Sequence, residues 1–218
     1  MSSEEQIKPQ IVNITEFEAK NILREYGIGT PRGMLISSVP KEIELKFPLV
    51  LKVSDASILH KSDVGGVRTG LIGLYDLLDE FDAMKKRFPE SLFLIEEMAP
   101  KGVEYIVGVT QDPVFGPVIM LGTGGVYTEL YHDVTFRKQP ISKDDAADMI
   151  QEIKSGRFCK GFRGDRIDCD SLIDLLLKVS AMISEQKLEI ETMDLNPVIV
   201  SRNGAVAADA KISIRKWS

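Results

Sequence analysis

Two pairs of apolar runs, each pair joined by a turn, most narrowly constrain what this 218-residue chain can fold into. VEYIVGVT (103–110) and PVIMLG (117–122) are separated by Asp112-Pro113-Val114-Phe115-Gly116, and the runs at 196–201 and 205–214 by Arg202-Asn203-Gly204. Turn residues clustered between β-rich runs predict hairpins, and Asn-Gly is the strongest short signal of that kind. Further strands are predicted at PLVLKV (48–53), VRTGLIGL (67–74) and SLFLIEEM (91–98). The Thr15/Glu18 capping-box pair starts a helix that Gly27 stops, with Phe17, Ile22, Leu23 and Tyr26 as its apolar face. Other helices are predicted over 76–88, from Ser142 to 155 and from Asp170 to 186. Strands come in runs with helices between them and without strict βαβ alternation, which reads as α+β. The chain divides into a polar, weakly ordered start (1–12), an N-terminal helix with a first lobe (13–98) and a second lobe (99–218), the boundary lying at Ala99-Pro100-Lys101-Gly102.

Composition excludes several functions. A net charge of −6 supplies no basic field for nucleic acid or an anionic membrane. No apolar run is long enough to span a bilayer, and MSSEEQIKPQ lacks the apolar core of a signal peptide. Cys159 and Cys169 form neither CxxC nor a metal-ligand cluster, so neither a disulfide framework nor a zinc site is expected, in keeping with a reducing cytoplasm.

Lys52 stands inside an apolar strand, on the face opposite Leu51 and Val53, where it either snorkels to solvent or meets a buried anion. Gly65-Gly66, after the loop, can let backbone N–H groups approach phosphate oxygens, although the pattern is neither a Walker motif nor GxGxxG. Between them, His60 is either an ordinary loop histidine or a phosphate-linked nucleophile, imidazole being the side chain poised near neutral pH. His132 reads as structural or surface. Glu96 and Glu97 end a buried strand, Glu104 follows one loop later, and Glu129 follows the second glycine loop (Gly122, Gly124, Gly125). Each is a candidate hydrogen-bond acceptor in a cleft or simply a solvated strand end. Asn196 and Asp209 fall on strands expected to be adjacent, and both can supply the oxygen ligands that Mg²⁺ takes. The alternative for Asp209 is an ion pair with a lysine such as Lys211.

LKVSDASILHKSDVGGV, LFLIEEMAPKGVEYIVGV, DPVFGPVIMLGTGGVYTEL, KGFRG and MDLNPVIV…AADAKI, in that order, resemble the ATP-grasp (β) subunit of ADP-forming acetyl-CoA synthetases and, more distantly, the succinyl-CoA synthetase β subunit. The resemblance runs from Ile14 to Ile214. It implies the ATP-grasp fold, two α/β lobes holding ATP/ADP and Mg²⁺ between them. It assigns Lys52 to the nucleotide phosphates, Gly65 and Gly66 to the loop over them, Glu96, Glu97 and Met98 to the adenine hinge, and Glu104 to the neighbourhood of the ribose. Asn196 and Asp209 match the metal pair, Asp194 the acidic position before it, and His60 a proposed phosphate carrier between subunits. Arg163 falls in the family's GxRG segment, without a role. The reaction implied is acyl-CoA, ADP and phosphate to acid, CoA and ATP, and its reverse. It needs a separate CoA-binding α subunit carrying the catalytic phosphohistidine, in an α2β2 assembly. The alternatives are a succinyl-CoA synthetase-type β subunit or a non-catalytic regulatory module.

Overall fold

The structure, a computed structural model, describes residues 9–58, 60–125, 133–161, 166–185 and 187–217. Its elements run β1 (Gln10–Asn13), α1 (Glu16–Glu25), β2 (Gly33–Ile36), β3 (Leu49–Ser54), β4 (Val67–Leu71), α2 (Leu74–Arg87), β5 (Leu92–Glu97), β6 (Val103–Asp112), β7 (Gly116–Thr123), β8 (Val134–Lys138), α3 (Lys143–Glu152), a 3₁₀ turn (Lys154–Lys160), α4 (Cys169–Glu185), β9 (Ile190–Ser201), β10 (Gly204–Ala207) and β11 (Lys211–Lys216). The predicted strands from 48 to 122 and the predicted helices arise close to where the sequence places them, whereas β1, β2 and β8 are strands that the sequence reading does not contain. Both capping boxes form: Thr15 with Glu18 at α1, and Ser142 with Asp145 at α3.

Among the described residues two sheets result, with every strand pair antiparallel. The smaller has the order β2-β5-β3-β4, and the larger β1-β11-β9-β6-β7-β8 with β10 also on β9. Each has its own core. Leu49, Leu51 and Val53 of β3 and Phe93 and Ile95 of β5 pack on Leu77, Phe81 and Met84 of α2. Strand alternation therefore turns Lys52 to the opposite face, towards the larger sheet. The second core joins β6, β7, β9 and β11 to α3 and α4 through residues such as Tyr105, Ile119, Leu195, Met149 and Leu176. No helix among the described residues is long and apolar enough to cross a membrane.

Four expectations need correction. Residues 10–13 are not a loose start, because β1 pairs with β11 from Gln10↔Lys216 to Asn13↔Ser213. The N-terminal helix belongs with the larger sheet, since Ala19 and Leu23 are buried in that core. Its fully buried face is Glu16, Ala19, Lys20 and Leu23, whereas Phe17, Ile22 and Tyr26 are half-buried; two charged residues lie inside because a buried charge network receives them. Finally, Cys159 and Cys169 are joined in a disulfide, their Cα atoms 5.6 Å apart, a separation that a bridge spans. The 3₁₀ turn and the start of α4 bring together two cysteines whose spacing in sequence carries no signal.

Candidate functional site

The two lobes meet at a buried network of charges. Lys52 (β3) and Glu96 (β5) share the face of the small sheet that looks towards the large lobe. Glu16 and Lys20, one turn apart on α1, project against them. Lys20 Nζ, with no solvent exposure, contacts Glu16 Oε1 at 2.7 Å, Glu96 Oε2 at 2.6 Å and the Ala208 carbonyl at 2.8 Å. Lys52 Nζ binds Glu16 Oε1, Glu96 Oε2 at 3.0 Å and the same Ala208 carbonyl at 3.0 Å. Lys61, at the far end of the loop after β3, reaches Glu16 Oε2 at 2.7 Å. One carboxylate thus meets three ammonium groups. Burial would raise the Glu16 carboxyl pKa, but Lys52, Lys20 and Lys61 outweigh burial and hold it well below the usual carboxylate range. Burial opposes the charge on Lys52, yet Glu16, Glu96 and Asp209 push its pKa above the ordinary lysine value.

Beside the Ala208 carbonyl lies Asp209. The sequence suggests one strand over 205–214, but the structure breaks it at 208–210. The partner strand β9 carries Pro197 at this point, which has no N–H to give to the ladder; only Ala208 N–H to Pro197 O, at 2.9 Å, is kept. The register continues from Ala207↔Val198 to Lys211↔Asp194 and therefore sets Asp209 across from Asn196. Burial and the nearby Glu16 raise the Asp209 carboxyl pKa against the pull of Lys52, Lys61 and Lys20. Its Oδ1 accepts the Ala210 N–H at 2.8 Å, and no salt bridge involves it among the described residues, so the pairing with Lys211 is not made. Lys211 instead stands across from Asp194.

A cavity of about 250 Å³ opens next to the network, where the 55–61 loop of the small lobe lies over β9 and β11. His60, Lys61, Glu16, Asp194 and Lys211 line it. Burial raises the Asp194 carboxyl pKa, with Lys211 and His60 opposing.

The remaining candidates lie around this junction. Gly65 and Gly66 form a closed turn: their N–H groups donate to Ser62 O at 3.0 Å and Lys61 O at 2.6 Å, so these amides are engaged within the loop. A Cβ on Gly66 would stand 2.6 Å from the Val53 side chain, which keeps that position glycine. Glu97 and Met98 likewise donate their N–H groups to Arg32 O and Pro48 O, while Met98 as a residue is 44% exposed. Glu104, on β6, is exposed; its carbonyl accepts the Gly124 N–H at 2.7 Å, and a Cβ on Gly124 would lie 2.6 Å from the Glu104 backbone. The second glycine loop is thereby pressed onto Glu104. Glu129, His132 and Arg163 lie outside the described residues. Glu16, Lys20 and Lys61 escaped the sequence reading. The available signal was Glu16 and Lys20 at i, i+4, a spacing that normally marks a solvated pair, and Lys61 beside His60.

Residues 7–214 match the family of the ATP-grasp domain. The chain is 38% identical over 216 residues to the β subunit of acetate–CoA ligase (ADP-forming) II of Pyrococcus furiosus, covering 93% of this chain and 92% of that one. Among solved structures it resembles a dinucleotide-forming acetyl-coenzyme A synthetase 1 of Ca. Korarchaeum cryptofilum in complex with coenzyme A and Ca-AMPCP, with a TM-score of 0.86, 38% identity and 94% of both chains covered. It also matches that synthetase with coenzyme A and Mg-AMPPCP, the phosphohistidine segment pointing towards the nucleotide-binding site, with a TM-score of 0.83, 39% identity and 93% of both chains covered. By full-length likeness in sequence and in fold, the chain belongs to the ATP-grasp family and, within it, to the β subunits of ADP-forming acetate–CoA ligases.

Proposed function

We propose that this chain is the nucleotide-binding subunit of an ADP-forming acyl-CoA synthetase, interconverting acyl-CoA, ADP and phosphate with acid, CoA and ATP. The observation that carries the reading is one juncture between two sheets that gathers His60 and Asp194 in a cavity, a buried lysine network behind it and the Asn196/Asp209 pair beside it. A CoA-binding α subunit would bring a phosphohistidine to this juncture, in an assembly with two copies of each chain.

In the ATP-forming direction His60 would take the phosphoryl group: a new N–P bond forms as the N–P bond on the partner's histidine breaks. A β-phosphate oxygen of ADP then attacks phosphorus, and the electron pair of the His60 N–P bond returns to the imidazole. Asp194, which lines the same cavity as His60, would orient the ring. Lys52 would meet the nucleotide phosphates after exchanging one of its present partners, and the Gly65-Gly66 turn would cover them. Glu96 acts by holding Lys52, since its carboxylate is committed to Lys20 and Lys52. The base would lie against Met98 and the neighbouring Glu97 at the segment joining the sheets, with the Glu104 carboxylate accepting from ribose hydroxyls.

The donor set fits a divalent cation: a carboxylate whose charge burial disfavours stands across the ladder from an amide oxygen, and Mg²⁺ takes one or two such protein ligands. Bound there by Asp209 and Asn196, Mg²⁺ would neutralise charge on the transferring phosphates.

Incubation with γ-³²P-ATP and Mg²⁺, with and without the CoA-binding subunit, tests the proposal. Acid-labile, base-stable label on this chain that disappears in H60A is the expected result. ATP binding without any label on the chain would remove His60 from the pathway, and no ATP binding at all would refute the enzymatic reading.

A further inference from the structure

We propose that Lys61 is the cation that holds the phosphoryl group at His60, with Glu16 as the positioning residue that aims it. The inference rests on the reading of His60 as a phosphoryl carrier and adds the group that makes the carrier work.

Three ammonium groups surround Glu16, and they differ in what they have left to give. An ammonium has three N–H donors. Lys20 spends its donors on Glu16, Glu96 and the Ala208 carbonyl. Lys52 meets the same three partners. Lys61 has one hydrogen-bond partner among the described residues, Glu16 Oε2 at 2.7 Å, although only 8% of the residue is exposed. Buried donors are normally satisfied, and an ammonium with a single partner among the described residues, beside a cavity, has N–H groups to offer an anion or water there.

Position selects between those. Of the three lysines only Lys61 lines the cavity that holds His60. Its sequence neighbour is that histidine, so the loop presents nucleophile and cation together. The cavity, about 250 Å³, has room for several waters of about 30 Å³ each, and hence for a phosphoryl group in their place. The opposite wall carries Asp194, which would repel a phosphoryl dianion if no cation answered it. Lys211 stands across the ladder from that carboxylate, and Lys61, on the loop with His60, is the cation placed for the phosphoryl oxygens. Glu16 fixes the Nζ in place without neutralising it outright, because the same carboxylate is shared with two other lysines.

The test uses the full chain with its CoA-binding partner and compares wild type, K61M and K61R. K61M leaves Glu16 paired with Lys20 and Lys52, so no carboxylate is stranded. Two quantities are read: the Mg-ADP dissociation constant by calorimetry, and the rate at which ³²P from γ-³²P-ATP appears on His60. A charge-assisted hydrogen bond that forms to the moving group is worth a factor of about 10–100 in rate. The expected result is a loss of that order in K61M with Mg-ADP affinity unchanged, and recovery of most of the rate in K61R. Labelling of K61M at the wild-type rate overturns the role of Lys61. Loss of Mg-ADP affinity in parallel with labelling also overturns it, since Lys61 would then serve the nucleotide or the fold. A wild-type chain that takes no label refutes the carrier reading itself, an outcome seen without any variant.

Discussion

Replacing Lys20 with methionine removes one of the two side chains that touch α1, β5 and the 208–210 break at once, Lys52 being the other. Lys20 is fully buried, and its ammonium serves Glu16, Glu96 and the Ala208 carbonyl. Methionine keeps most of the apolar stem, so the loss is chiefly one of charge. Around the junction stand three ammonium groups (Lys20, Lys52, Lys61) and three carboxylates (Glu16, Glu96, Asp209); the variant leaves two against three. Removing one partner of a buried pair costs about 3–5 kcal/mol. Lys52 still lies 3.0 Å from Glu96 and also holds Glu16, which argues for the lower end, about 3 kcal/mol. For a chain of this size that corresponds to a fall in Tm of about 6–12 °C. Urea and thermal denaturation followed by far-UV circular dichroism measure it, and K20M/E96M should regain part of the loss because Glu16 keeps Lys52 and Lys61 and no glutamate is then short of a partner. A change below about 1 kcal/mol in K20M would refute the reasoning, because it would mean that Lys52 alone satisfies both glutamates.

Three further outcomes are expected. Since the Glu16 carboxyl is held below its ordinary 4.5, its contribution to stability is complete above that pH and is lost as pH falls below it; denaturation midpoints taken from neutral pH down to acid should show this slope, and K20M should show less of it. Asp209→Asn should raise the denaturation midpoint at neutral pH, because burial disfavours the native carboxylate, while Mg-ADP affinity falls and calorimetry with EDTA no longer distinguishes the variant from its metal-free state. Reducing the Cys159–Cys169 bond, which closes a ring across a separation of 10 residues, should cost roughly 2–3 kcal/mol, and C159S/C169S should be insensitive to reductant in the same melting experiment.

Local rules made much of this fold legible. Thr15/Glu18 and Ser142/Asp145 are complete signals within four residues, and the Asn203-Gly204 turn sets the β9–β10 register without outside help. Alternation alone turned Lys52 away from Leu51 and Val53. What stayed hidden depends on contacts distant in sequence. Lys20 and Glu96 are 76 residues apart, and Lys20 and Ala208 are 188 apart, so nothing near Lys20 announces that it is buried. Glu16 and Lys20 obey helix periodicity, but a charged i, i+4 pair looks alike whether water or another lobe covers it. The Asp209 break needed the knowledge that Pro197 would be its neighbour, and β1 is too short to be read without its partner β11. The resemblance to known β subunits named Lys52 and passed over Glu16, which holds it.

The small sheet lies wholly between residues 33 and 97, nested inside a lobe whose first and last strands, β1 and β11, pair with each other. Its apolar core is separate from that of its host, and the ammonium–carboxylate cluster fastens the two. Such a fastening behaves unlike a greasy one. Attraction between charges weakens steeply once water enters and the local dielectric rises. Parting the lobes by the width of a water layer therefore weakens the cross-lobe contacts, Lys20–Glu96, Lys52–Glu16, Lys61–Glu16 and Lys52–Ala208, together, and bringing them back strengthens them together. Contacts that depend on one another in this way favour a junction that is either fully closed or fully wetted over one that is half closed.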